Sequence, residues 1–175
     1  MGNKILNIGY VGFKIALYVT YLAIAFIFLQ AINVFMGPLT ALPSWLRLEE
    51  WVIILSVTDS SSSNSEKILL LFSLSRVLLV SVMISFILKR FLRVIKSVNG
   101  KEAFKLLNIE NFRRIGFYFF LIFLLDIVKI NHTLYDNTVT FSFDPMYILG
   151  AITAFILAEV SREGNKLSED NKLTI

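Results

Sequence analysis

The chain has 175 residues, 56% of them apolar and 14% aromatic, with a net charge of +4 and no cysteine, and its mean hydropathy is +0.71. That apolar fraction excludes an ordinary water-soluble globule, and the lack of cysteine excludes disulfides, thiolate metal sites and cysteine nucleophiles. Direct nucleic-acid binding is not the use of the positive charge, because most basic residues stand beside long apolar runs, where they set membrane topology.

The N-terminal segment carries Lys4 and Lys14 and leads into an apolar run over residues 15–36, longer than the apolar core of a signal peptide. It reads as an uncleaved first span. A crossing needs about 20 apolar residues for a hydrocarbon layer of about 30 Å. Three further runs follow, over residues 68–88, 115–130 and 146–160. The last two are short by themselves and borrow a turn from each flank. The expected spans are residues 13–36, 68–88, 113–132 and 145–162. A basic loop, 89–112, and a tail, 163–175, complete a single integral membrane domain over residues 1–175. The fold class expected is an all-α membrane protein: a four transmembrane helix bundle with a small extracytoplasmic β-ribbon.

Sidedness follows from the Lys and Arg pattern. Residues 89–116 hold eight of the seventeen basic residues, and Lys4, Lys14, Arg162, Lys166 and Lys172 fall on the same side of the expected spans. Only Arg47, Lys67 and Lys129 fall on the other. Basic segments between spans stay in the cytoplasm, so both termini are expected there.

The first outer segment opens with GPLTALP, where glycine and proline forbid a continuing helix. Residues 51–58, WVIILSVT, are β-branched and aromatic, and residues 138–143, TVTFSF, alternate with a period of two. Both read as strands of one outer ribbon, with an interfacial helix as the other reading of 51–57. Asp144 and Pro145 form a helix start, since Asp caps free N–H groups and proline has none to satisfy. On the inner side, Phe91, Leu92, Ile95 and Val98 recur at helical spacing. They predict that the second helix runs on until Asn99 and Gly100 stop it. Asn108 is the expected N-cap of the third.

Arg76 and Asp126 stand inside apolar runs, where a charge costs about 2.5 to 3.5 kcal/mol on insertion scales. Each is 12 or 13 residues from the inner basic residues Arg114 and Lys89, so at about 1.5 Å per residue they share a depth. A salt bridge between neighbouring helices explains both. The other readings are a water-filled path or switch with Asp126 titrating, or Lys129 as the partner of Asp126. Gln30 and Asn33 suit interhelical hydrogen bonds, and Gly150, Ala154 and Ala158, spaced by four, form a small-residue packing face. On the inner side Arg113 and Arg114 face Glu159, Arg162 and Glu163, an expected cluster of opposed charges. The single histidine, His132, makes no metal site, and neither catalytic motifs nor a cofactor fingerprint is present. Enzymatic activity and cofactors are not expected.

Two stretches carry a family resemblance. One is Phe104 with Asn111, Phe112, Arg113, Arg114, Ile115 and Gly116. The other is residues 157–164, LAEVSREG, followed by Leu167, Glu169 and the closing Leu173, Thr174 and Ile175. Together they resemble a bacterial family of four-span membrane proteins described only as domain of unknown function 2975. Ser161 stands where that family usually has Phe, and Ala103 where Pro often precedes the loop Phe. The resemblance implies a bacterial inner membrane and a regulatory role, holding or tuning a small cytosolic helix-turn-helix transcription regulator. Besides the lipid bilayer and that regulator, a second copy of the chain is a partner compatible with the small-residue face. A small transporter or channel subunit using Arg76 and Asp126 is the alternative function.

Overall fold

A computed structural model describes residues 2–36, 64–100, 105–132, 137–141 and 144–173. Among these residues there are four helices: α1 (Gly2–Met36), α2 (Asn64–Asn99), α3 (Leu106–Asp126) and α4 (Pro145–Leu173). A hairpin of β1 (Val128–His132) and β2 (Asn137–Phe141) joins α3 to α4. Three helices are long and apolar enough to cross a membrane, over Lys4–Ile32, Leu71–Asn99 and Pro145–Asp170. The chain is therefore a helical membrane protein. Among the described residues many large apolar side chains, such as Ile8, Leu22, Phe28 and Ile156, are exposed, where lipid tails satisfy them.

The described helices pack in chain order, α1 on α2, α2 on α3 and α3 on α4, each pair antiparallel, and among the described residues no other helix pair meets to a comparable extent. The covered residues show why. On α1, Leu6, Gly9, Phe13, Leu17, Thr20, Ile24, Ile27 and Ala31 are all at least half-buried and follow one another in steps of three or four. That spacing keeps one stripe of a helix facing one neighbour. α2 carries two such stripes on opposite faces. Leu71, Leu74 and Leu78 pack with Ile27 of α1, and Phe91 stacks on Phe13 with ring centres 5.3 Å apart. On the other face Val80, Met83, Ile84 and Ile87 join Ile115 and Ile122 of α3 and Ala154 of α4 in the main core. In α4 the buried residues are Ala151, Ala154, Ala158 and Ser161, again by three and four.

Helix ends follow local chemistry at several points. The Asp144 Oδ1 accepts a hydrogen bond from the Met146 N–H at 2.9 Å, and Pro145 opens α4. α2 runs through Asn99, and the Gly100 N–H closes it on the Lys96 carbonyl at 3.1 Å. The N-cap of α3 is Lys105, not Asn108, and it caps with no side-chain bond. Asn108 is instead fully buried in the first turn, because its amide is used between helices.

The hairpin corrects one expectation. The third span was expected to reach residue 132 as helix, but α3 stops at Asp126 and residues 128–132 are strand. β-branched Val128 and Ile130 pair in register with Phe141 and Val139, so a partner distant in sequence, invisible to local periodicity, decides their state. The expected strand at 138–143 overlaps β2, whose partner among the described residues is β1 of the same connection; residues 51–58, the other expected strand, lie outside the described residues. The apolar helical stretch of α3 between Arg114 and Asp126 is only 11 residues, about 16 Å.

Candidate functional site

Polar contacts pin the α2–α3 seam at both ends. Toward the hairpin, Arg76 Nη2 donates to Asp126 Oδ1 at 2.6 Å. Asp126 is the last residue of α3, where the helix dipole disfavours a carboxylate, so the guanidinium offsets an unfavourable placement as well as a desolvated charge. The side chains remain 21% and 16% exposed, which places the pair between a surface bridge and a dry one. Lys129 stands in β1 and not on a continuing helix.

Arg90 lies 14 residues along α2 from Arg76, about four turns, and so returns to the same face. Its Nη1 donates to Asn111 Oδ1 at 2.9 Å. Two turns further on, Ser97 Oγ accepts from Asn108 Nδ2 at 2.9 Å. Asn108 and Asn111 are both fully buried. A polar residue inside an apolar helix seam permits few alternative registers, since a slip strands its hydrogen-bonding groups. Arg76, Arg90, Ser97, Asn108, Asn111 and Asp126 thus fix how α2 and α3 align.

Across the α3–α4 seam the approach is close. A Cβ built on Gly116 would lie 3.1 Å from the Phe155 ring and 3.2 Å from the Ala151 carbonyl oxygen, and one on Gly150 would lie 3.2 Å from the Phe119 ring. Ala154 and Ala158 of the expected face are buried, while Gly150 is half-buried at its margin. The continuous buried stripe includes Ala151 and Ser161, which a strict spacing of four passes over; alternating steps of three and four would have found them.

The charges expected to form a cytoplasmic cluster pair within their own helices. Arg114 pairs with Glu110 on its own helix, Arg162 pairs with Glu159, and Lys166 Nζ lies 2.9 Å from Glu163 Oε1. Among the described residues no ion pair joins Arg113 or Arg114 to Glu159 or Glu163. Partners three or four residues away on one helix are already within reach, so they win over charges on a neighbouring helix. Lys166 as hydrogen-bond donor and as charge holds the Glu163 carboxyl below its usual range; slight desolvation opposes this and Arg162 adds to it.

Gln30 is buried near the C-terminal end of α1, and among the described residues its Oε1 has no hydrogen-bond partner. Among the described residues no group of His, Asp and Glu is placed to hold a metal ion. No family model, curated protein or solved structure matches the chain.

Proposed function

We propose that the protein is a membrane-anchored interaction protein that offers the tail of α4 and the basic loop 89–112 to a soluble cytosolic regulator. The four-crossing topology with both ends in the cytoplasm and the hairpin outside belongs to the same reading. One observation carries it: α4 runs unbroken to Leu173 and outlasts its neighbour. Phe119 lies beside Gly150, so Leu106, where α3 begins, is level with about residue 163. The last 10 residues of α4, about 15 Å of helix, stand beyond the start of α3. Leu167 on that segment is 65% exposed among Glu163, Lys166, Glu169 and Asp170. An apolar residue framed by charges on a projecting helix suits a groove in a partner. The resemblance to a family associated with helix-turn-helix regulators supplies the class of partner.

Transport is the weaker reading. Arg76 and Asp126 neutralise each other directly, and inward of them Ile87, Ile115, Ile122 and Ala154 are buried together in an apolar cluster, which supports the interaction reading over transport.

The test is co-purification from solubilised membranes. A small DNA-binding protein should accompany the wild-type chain and fall by at least about tenfold with Leu167→Glu, a substitution at an exposed site that leaves the bundle intact. Equal recovery with Leu167→Glu, or no such protein with the wild type, would contradict the reading.

A further inference from the structure

Three contacts set the register of α1 on α2. Asn99 Nδ2 donates to Asn7 Oδ1 at 3.4 Å, Phe13 stacks on Phe91, and Ile27 packs on Leu74. Lys14 is therefore level with about Lys89 and Arg90. Arg90 is used against Asn111, whereas Lys14, Lys89 and Arg93 are exposed. Arg93 stands four residues from Lys89, on the same face of α2. Lys14 stands seven residues, or two turns, from Tyr21, on the same face of α1. Because Lys14 directly precedes one apolar run and Lys89 directly follows another, both mark the edge of the hydrocarbon layer.

The Lys89 ammonium joins the two faces. Its Nζ lies 5.3 Å from the centre of the Tyr21 ring and 5.8 Å from that of Phe86, and the Phe86 ring stacks on Tyr118 of α3 at 5.7 Å. Tyr21, Lys89, Phe86 and Tyr118 thus form a strip along one surface of the helix layer. A lysine at a membrane boundary ordinarily turns its charge toward water. Lys89 turns the other way, because side chains lean toward the N-terminus of their helix, which here is toward the apolar run, and Tyr21 lies two turns deeper in α1 than Lys14. Aromatic faces offset part of such a charge. An anion at the hydrocarbon edge offsets the rest, and lipid phosphates stand at that edge.

Charge selects the class of lipid. Residues 1–48 and 67–101 contain no Asp or Glu, so α1 and nearly all of α2 bring only positive charge to this flank. On α3 and α4, in contrast, Arg114, Arg162 and Lys166 are each paired with a carboxylate of their own helix. A phosphatidylcholine head would bring its own cation to the basic flank, and a head of net negative charge would not. We propose that this flank of α1 and α2 is a binding site for an anionic phospholipid, with the phosphate among Lys14, Lys89 and Arg93 and an acyl chain running along the Tyr21 and Phe86 rings. The site lies apart from the α4 tail offered to a protein partner, and it holds for either orientation of the chain in the membrane.

Native mass spectrometry of the purified protein in detergent tests the site, with phosphatidylglycerol or phosphatidylcholine of identical acyl chains added to the micelles. The wild type should retain phosphatidylglycerol at least about tenfold more strongly. Lys89→Gln with Arg93→Gln, at two exposed positions, should bring the two lipids to near parity, while the charge-conserving Lys89→Arg with Arg93→Lys keeps the preference. Arg162→Gln with Lys166→Gln removes the same amount of positive charge from α4 and should leave the preference unchanged. Equal retention of the two lipids by the wild type would overturn the site, and so would a preference that survives Lys89→Gln with Arg93→Gln. An equal loss in the α4 variant would also overturn it, since net charge alone would then explain the binding.

Discussion

At the scale of single residues, the partial exposure of Arg76 and Asp126 decides what their contact is worth. A solvated surface pair contributes about 0–1 kcal/mol, and removing one partner of a dry pair costs about 3–5 kcal/mol. With both side chains roughly one-fifth exposed, Asp126→Asn should cost about 2 kcal/mol. The double change Arg76→Leu with Asp126→Leu should recover most of it, because no lone charge is left. Unfolding of the purified protein in mixed micelles measures both; a double variant less stable than Asp126→Asn would contradict the pairing. Glu163 offers a second check. Its carboxyl pKa is lowered in the folded chain by Lys166, so the Glu163–Lys166 interaction contributes fully above the unfolded-state pKa and is lost as pH falls through the lowered folded value. An NMR titration of the Glu163 carboxyl should find its midpoint below that of a free glutamate and moved upward in Lys166→Ala. An unchanged midpoint in that variant would remove Lys166 as the cause.

At the scale of elements, the α3–α4 seam rests on close approach. Gly116 faces the Ala151 backbone, which cannot step aside, while Gly150 faces only the Phe119 ring, which can turn. Gly116→Leu should therefore destabilise by about 2–3 kcal/mol and Gly150→Ala by less than about 1 kcal/mol. Detergent unfolding midpoints of the two variants check the order, and a larger loss at Gly150 would reverse the assignment. These elements also show what could be read in advance. The start of α4 at Asp144 and Pro145 and the end of α2 at Asn99 and Gly100 depend on a few adjacent residues, and the sequence states them. The shared depth of Arg76 and Asp126 was legible because a helix has a fixed rise. The end of α3 was not, because Val128 and Ile130 extend an apolar run whose strand state is set by residues 139–141. Nor was the pairing of Arg114 and Arg162, since each had a carboxylate three or four residues away as well as one across the bundle. Asn108 looked like a cap by residue type; only its facing Ser97 shows that its amide belongs to the helix seam.

At the scale of the whole molecule, the parity of crossings separates the readings. The three long apolar helices alone would place the two termini on opposite sides of the membrane. A crossing by α3, whose apolar helical stretch is about 16 Å, brings them to the same side. The tail of α4 can meet a cytosolic regulator only if it is inside, and the basic residues of loop 89–112 favour the same side for the ends that flank it. The decisive measurement is the sidedness of both ends in one set of fusions, with a reporter that is active only in the cytoplasm and one that is active only outside, each placed before Met1 or after Ile175. Cytoplasmic activity at both ends is the result expected. Activity on opposite sides would mean that α3 does not cross, and would contradict the four-crossing protein with an inward-facing tail.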